Sequence, residues 1–312
     1  MFDQIIDANV NRIGEGLRVI EEYVRFVRSD TNLTNQLAII RKRVHQAFPQ
    51  HSNYLHSRST ATDTRAKEIP KPRASVYDLL VANFKRVQEA FRVLEEYAAN
   101  QDCNQCRYDM YDLEQRILLL AKKPSIKRGV YLISDSVDVI KQGIDWGCSL
   151  VQLRDKFATK SELLDRAYVV AEYAALHDVP FIMNDFLDIA QLVDADGLHT
   201  GQDDIPVSLQ RKILGEHKLI GRTTHSLEQG KIAKEQGADY VSVGPIWETP
   251  SKPGRDGIGF DYLAVVKDTL DIPFVAIGGI NNDNFDQVME YKPHMVGVIR
   301  SFESVPHWQQ QF

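Results

Sequence analysis

VYLISDSVDVIKQGIDWGCSLVQLR, Val130–Arg154, decides how the larger part of this chain is read. Two short apolar runs, VYLIS (Val130–Ser134) and LVQLR (Leu150–Arg154), enclose a stretch with helical spacing. The pattern then recurs. Further candidate strands are PFIMN (Pro180–Asn184), GLHT (Gly197–Thr200), KLIGR (Lys218–Arg222), YVSVG (Tyr240–Gly244), FVAIG (Phe274–Gly278) and MVGVI (Met295–Ile299). Helical patterns such as SELLDRAYVVAEYAALH, Ser161–His177, fill the gaps. Near-continuous Val/Ile/Leu runs suit parallel strands covered by helices on the outside. Eight such units in residues 129–312 predict a (β/α)₈ TIM barrel. They are compact for that fold, and an open doubly wound sheet is the alternative.

Upstream the pattern changes at AKKPSIKRG (Ala121–Gly129), which is basic, polar and broken by Pro124. Helical periodicity dominates before it, so the class is α/β with a mostly α-helical N-terminal domain. The predicted domains are 1–122, a linker at 123–128, and the barrel at 129–312. The helical part contains a repeat: ANVNRIGEGLRVIEEY (Ala8–Tyr23) and ANFKRVQEAFRVLEEY (Ala82–Tyr97) agree at nine of sixteen positions. At about 100° per residue, Val10, Ile13, Leu17, Ile20 and Val24 share one face. Arg12, Glu15, Arg18 and Glu22 share the other. That charged face can be a helix surface stitched by Glu–Arg pairs, or a pseudo-symmetric pair presenting Asn and Arg to a ligand. The candidates for the second reading are Asn9, Arg12, Arg18, Asn83, Arg86 and Arg92.

Composition limits the partners. Hydrophobic residues make up 43% and charged residues 26%, ordinary for a soluble domain. Residues 1–122 carry 18 Lys+Arg against 16 Asp+Glu, and the remainder 19 against 27. An acidic barrel is a poor nucleic-acid binder, so any phosphate must be held by local donors or a metal. Asp3 and Asp7 break up the beginning, so no signal peptide is expected, and no apolar run reaches the ~18–20 residues of a membrane span. Three cysteines argue for a reducing, cytoplasmic setting, with Cys103 and Cys106 read as incidental thiols. Oligomeric state is left open, a homo-oligomer being allowed.

Polar residues gather where the barrel's catalytic end is expected. Gln152, Arg154 and Lys156 alternate, so an extended segment aims them to one side. Arg and Lys there suit phosphate, although QLRDK can equally be a surface salt-bridge patch. Strand three ends in Asn184-Asp185, and His199, Gly201, Gln202, Asp203 and Asp204 follow strand four. Carboxylates from adjacent strand ends can share one Mg²⁺ with substrate phosphate oxygens. Asp203 and Asp204 can equally serve a turn or cap before Pro206. After strand six, GPIWETPSKPGRDGIG (Gly244–Gly259) offers hydroxyls, a lysine and backbone N–H groups for a phosphate. Gly278-Gly279 would let a phosphate approach the backbone and a following helix N-terminus.

Together VQLRDK, MND, GLHTGQDD, IGRTTHS, GPIWETPSK and AIGGI, in this order, resemble the thiamine phosphate synthase family. The resemblance implies condensation of hydroxymethylpyrimidine diphosphate with thiazole phosphate, Mg²⁺-dependent, releasing diphosphate. By position, Gln152, Arg154, Lys156 and Asn184 would contact the pyrimidine diphosphate, and Asp185 and Asp204 would hold the metal. Thr223 stands where the family usually has Ser, and Lys252 matches a second diphosphate lysine. Arg154, Lys156 and Lys252 would be the catalytic cations. Thr249, Ser251, Gly279, Ile299 and Arg300 match positions holding the thiazole phosphate. Arg300 replaces a usual Ser, either strengthening the grip on phosphate or adding bulk at the entrance. No protein nucleophile is implied, and His199 reads as a structural group rather than a general base.

The upstream repeat, with the polar stretch between its copies, resembles a helical domain fused to some of these synthases and regarded as a hydroxymethylpyrimidine phosphate kinase. ATP would then be a further substrate. Arg58, Asp63 and Thr64 lie where that family has a polar loop, but Ser59 follows the arginine and Arg65 stands in place of an expected glycine. Residues 1–122 contain no GxxxxGK[ST] motif, which excludes a P-loop kinase. The competing reading is a thiazole tautomerase-like barrel with a non-catalytic binding or dimerisation module. Retention of Arg154, Lys156, Asp185 and Asp204 argues against it.

Overall fold

A computed structural model describes residues 2–49, 72–249 and 256–312. The chain divides into two compact units, residues 1–122 and 123–312. Arg58, Asp63, Ser251 and Lys252 lie outside the described residues.

The first unit is helical among its described residues. Helix α1 (Asp3–Glu22) runs into a π-helical turn (Tyr23–Val27), followed by α2 (Thr31–Ala47), α3 (Val76–Ala98) and α4 (Gln101–Lys122). Side-chain caps start two of them: Asp30 accepts from the Leu33 N–H at 2.9 Å and Ser75 from Asp78 at 3.1 Å. The predicted apolar face of α1 is the buried one, from Val10 to Val24. It meets Phe84, Val87, Phe91 and Leu94 of α3 in one core. The two repeat copies therefore pack against each other. Their direction is antiparallel, since Phe2 at the start of α1 makes an edge contact with Tyr97 near the end of α3. Gly16 permits the close approach: a Cβ there would lie 2.6 Å from the Val87 side chain and 3.3 Å from the Asn83 carbonyl.

Repeat-conserved glutamates are used twice in the same way. Glu21 meets Arg41 of α2 at 2.8 Å, and Glu95 meets Arg107 of α4 at 2.6 Å. Cys103 and Cys106 face this core, and burial pushes their thiols up to about 12 and about 11, so both are packing groups at neutral pH.

The second unit is the expected barrel. Its strands are β1 (Gly129–Ser134), β2 (Leu150–Leu153), β3 (Phe181–Asn184), β4 (Gly197–Thr200), β5 (Leu219–Thr224), β6 (Tyr240–Val243), β7 (Phe274–Ile277) and β8 (Met295–Val298). Each pairs in parallel with the next, and β8 returns to β1 through Gly129↔Met295, which excludes an open sheet. The helices between and after them are α5 (Val137–Asp145), α6 (Lys160–Leu176), α7 (Leu187–Leu192), α8 (Val207–Leu214), α9 (Leu227–Glu235), α10 (Asp261–Thr269), α11 (Phe285–Met289) and α12 (Val305–Gln309). Alternation along β1 explains its unbroken apolar run. Val130 and Leu132 pack outward under the helices, while Tyr131 and Ile133 fill the barrel interior. A capping box between Thr159 and Glu162 starts α6. No described helix is long and apolar enough to cross a membrane.

Arg107→Ala is expected to destabilise the helical unit by about 1–2 kcal/mol, because half-buried Glu95 would keep only Arg92 of its two arginine partners. Burial alone would raise the Glu95 carboxyl, but hydrogen bonds from Arg107 and Arg92 outweigh it and hold the group below the usual range. That stabilisation is complete above the ordinary glutamate range and disappears as pH falls through the lower folded value. Denaturant titrations should show the gap between wild type and variant narrowing in acid; a gap independent of pH would assign the loss to packing.

Candidate active site

A cavity of about 250 Å³ opens at the C-terminal ends of the barrel strands. Gln152, Asn184, Thr223, Thr249, Gly279, Ile299, Arg154 and Arg300 all line it. The barrel thus gathers eight of its eleven described candidates, spread over nearly 150 residues of sequence, while Lys156, Asp185 and Asp204 are not among the lining residues.

Each strand end delivers its group by a local device. β2 stops at Leu153, one residue before Arg154, so the expected extended segment through Lys156 is not formed. The chain turns instead at Asp155, whose carboxylate accepts from the N–H groups of Phe157 and Ala158 at 2.8 and 3.0 Å. It also pairs with Arg166 of α6 at 2.9 Å. Arg154 remains tied to β1 through its N–H and the Ser134 carbonyl, 2.9 Å apart.

β3 ends in buried Asn184, and Asp185 then takes a left-handed backbone conformation with φ 59°. Its N–H donates to the His199 carbonyl of β4 at 2.9 Å, which fixes the turn. Burial raises the Asp185 carboxyl above its usual range, and the negative charge of Asp204 raises it further. A hydrogen bond with Asn184 and the charges of Lys156 and Arg154 oppose the shift. Asp185 thus feels one carboxylate and two cations; of these only Arg154 lines the cavity, while Asp204 lines a separate pocket with Arg222.

Asp204 does not cap a helix. Its Oδ2 accepts from the Gly201 N–H at 2.7 Å, and α8 begins after Pro206 without a side-chain cap. The loop is held from below by Arg222 of β5, which donates to the carbonyls of Gln202, Asp204 and Ile205 at 3.1–3.2 Å and to Thr200 Oγ1 at 2.9 Å. Sequence reasoning missed this residue as a support. Its signal was an arginine inside an otherwise apolar strand. Burial lowers its pKa against the charges of Asp204 and Asp203.

On the opposite wall, Arg300 donates to Thr249 Oγ1 at 3.2 Å, joining the loops after β8 and β6. Gly278 and Gly279 have φ values of 103° and 75°. A Cβ would lie 2.5 Å from Pro245 at the first and 2.7 Å from Trp247 at the second. These glycines are demanded by backbone conformation and by packing against the β6 loop. No helix starts directly behind them, because Asn281–Asn284 form a turn before α11 begins at Phe285.

The floor of the cavity is a chain of hydrogen bonds that the sequence did not reveal. Gln152 Nε2 donates to the Tyr131 hydroxyl, which lies 2.9 Å from the Tyr240 hydroxyl. Tyr240 is 3.1 Å from His199 Nδ1, and His199 Nε2 is 3.0 Å from Thr223 Oγ1.

The helical unit treats its candidates differently. Asn9 and Asn83 donate to carbonyls on their own helices, those of Ile5 and Leu79, both at 2.8 Å. Arg12 donates to Asn9, and Arg18 pairs with Glu22. Arg92 pairs with Glu95 and Glu96, and Arg86 lies 3.9 Å from Glu15. The stitched-surface reading accounts for these contacts.

A closed parallel barrel with cations, paired carboxylates and glycine turns at one end defines a class of enzyme that handles phosphorylated small molecules. Residues 128–302 match the family described as thiamine monophosphate synthase, and residues 4–116 match the ThiD2 family. The chain belongs to the thiamine monophosphate synthase family. It is 35% identical to a thiamine-phosphate synthase of Nostoc punctiforme, covering 96% of this chain and 88% of the relative. It is 38% identical to one of Synechococcus, with coverages of 95% and 90%. A thiamine phosphate pyrophosphorylase structure from Pyrococcus furiosus superposes with a TM-score of 0.54 at 27% identity, covering 60% of this chain and 95% of that one.

Arg222→Met should cost about 2–3 kcal/mol, since several loop carbonyls lose a charged donor. Hydrogen exchange at residues 201–205 should accelerate; unchanged exchange would show that the loop holds itself.

Proposed function

We propose that the barrel joins hydroxymethylpyrimidine diphosphate to thiazole phosphate, giving thiamine phosphate and diphosphate. The observation that carries this reading is that Asp185 feels the charges of Asp204, Lys156 and Arg154 and bonds to Asn184, which with Arg154, Gln152 and Thr223 lines the cavity. The cationic groups suit a diphosphate, and the buried polar floor suits a heteroaromatic ring.

Asp185 and Asp204 fit Mg²⁺. Both offer hard oxygen donors, and burial with mutual repulsion makes a cation favourable between them. Among the described residues no group of three or more His, Cys, Asp or Glu side chains could hold a metal by itself. A two-carboxylate site completed by substrate oxygens accords with that. When bound, the ion would neutralise charge on the departing diphosphate. Arg154 and Lys156, with Lys252 carried over by position, grip the diphosphate and stabilise the negative charge that accumulates as its bond to the pyrimidine methylene breaks. The pyrimidine ring spreads the resulting positive charge, and the thiazole nitrogen supplies the electron pair for the new carbon–nitrogen bond. Thr249, Gly279, Ile299 and Arg300, with Ser251 carried over by position, hold the thiazole phosphate.

The ThiD2 match supports a second reading for the helical unit: transfer of phosphate from ATP to hydroxymethylpyrimidine phosphate, supplying the diphosphate. The chain would then be bifunctional.

Thiazole phosphate and Mg²⁺ should yield thiamine phosphate with the pyrimidine diphosphate, and also with the pyrimidine monophosphate plus ATP. Product from the first mixture alone would remove the kinase. No product from either, in folded protein, would defeat the synthase. Asp185→Asn is the sharpest variant, because Asn tolerates the left-handed backbone and keeps the shape. It should lower turnover at least ~100-fold and raise the Mg²⁺ needed, with an unchanged melting temperature; near-normal turnover would remove Asp185 from the metal site.

A further inference from the structure

We infer that the barrel floor is a one-way hydrogen-bond relay, which holds His199 as its Nε2–H tautomer and gives the two ends of the pyrimidine site opposite senses: an acceptor at Gln152 and a donor at Thr223. The relay rests only on contacts in the barrel; the choice of pyrimidine as its ligand rests on the synthase reading above.

The direction follows from counting protons. A tyrosine hydroxyl has one hydrogen to give and lone pairs to receive. Tyr131 receives from the Gln152 amide nitrogen; a hydroxyl can accept twice, but Tyr131 is almost wholly buried and Tyr240, 2.9 Å away, is the acceptor in reach of its own hydrogen. Tyr240 has then received, and its hydrogen goes to His199 Nδ1 at 3.1 Å. A ring nitrogen that accepts carries no proton, so in the neutral imidazole the hydrogen is on Nε2. Nε2 gives it to Thr223 Oγ1 at 3.0 Å. Thr223 keeps its hydrogen for whatever occupies the cavity, and Gln152 keeps its carbonyl oxygen.

Two features protect this order. Tyr131 and Tyr240 are buried almost completely, so water does not intervene to reverse a link. Burial also pushes both phenols above their usual range, keeping their protons in place. Space for the relay comes from Gly221 of β5. A Cβ there would lie 2.1 Å from the Tyr240 ring and 2.4 Å from His199 Nδ1. The missing side chain lets the His199 and Tyr240 rings stack, with centroids 5.5 Å apart.

An aminopyrimidine has the complementary edge, with an amine that donates and a ring nitrogen that accepts. As positive charge develops on the ring, the amine becomes a better donor, so the contact at Gln152 strengthens during bond breaking. A pyrimidine bearing an oxo group and a ring N–H presents the reverse order, setting acceptor against acceptor at Gln152 and donor against donor at Thr223. Tyr131, Tyr240 and His199 are therefore positioning residues that select the amino form through Gln152 and Thr223.

The test uses the full chain. Nitrogen-15 spectra of the histidine rings, with His199→Asn to assign the signal, should show wild-type His199 as Nε2–H. Tyr240→Phe should remove that preference. A wild-type Nδ1–H signal, or one unaffected by Tyr240→Phe, would overturn the relay. In steady-state kinetics Tyr240→Phe should raise KM for the pyrimidine diphosphate about fivefold, leaving KM for thiazole phosphate unchanged. Equal rises in both, or none, would also overturn it. Should Tyr240→Phe fail to fold, Tyr131→Phe cuts the same chain one link earlier and is judged by the same outcomes. If the wild type makes no thiamine phosphate, the synthase reading falls, and the tautomer spectrum still decides the relay.

Discussion

Closure of the sheet, made by the pairing of β8 with β1, is the constraint from which the rest of the barrel follows. Closure obliges inward residues from all the strands to share one narrow interior. Deep in it the residues are apolar, as with Leu150, Ile182, Val275 and Met295. Tyr131 and Tyr240 join that same layer, and their hydroxyls meet beneath the cavity. Above them the strand ends turn outward, and each turn fixes one functional group: Asp155 shapes the loop carrying Lys156, the left-handed backbone presents Asp185, and Arg222 holds the Asp204 loop.

Charge at the mouth is arranged by opposition. The barrel's part of the chain is acidic, yet Arg154 and Lys156 lie close enough to Asp185 to oppose its shift, and Arg300 stands on the opposite wall. Burial and Asp204 together make ionised Asp185 costly. A divalent cation held there, as proposed, would relieve that cost. Such an arrangement concentrates its stabilisation on the leaving group, where the proposed reaction develops negative charge.

Much of this was legible in the sequence. The strands announced themselves because both their faces are buried, one against helices and one inside the barrel, leaving unbroken Val/Ile/Leu runs. Gln152, Asn184, Thr223 and Arg300 could be placed at strand ends, and the cavity brings them together. The α1 face was readable from periodicity because one face alone, from Val10 to Val24, is the apolar buried one. What stayed hidden depends on closure or on turns. The Tyr131–Tyr240 contact joins residues 109 apart, and nothing in either local pattern forecasts it. Gly221 looked like any strand glycine, although it clears space for a ring from the neighbouring strand. Gly278 and Gly279 looked like a phosphate approach, whereas their packing against Pro245 and Trp247 already requires glycine. In the helical unit, Asn9 and Asn83 looked available to a ligand, but each bonds back to its own helix.

A crystal structure of the chain with thiamine phosphate, diphosphate and Mg²⁺ tests the central claim most directly. The account predicts diphosphate against Arg154 and Lys156, a metal held by Asp185 and Asp204, and the pyrimidine ring contacting Gln152 and Thr223. Diphosphate seated away from the two carboxylates, or a pyrimidine ring lying against the Thr249–Arg300 wall, would contradict it.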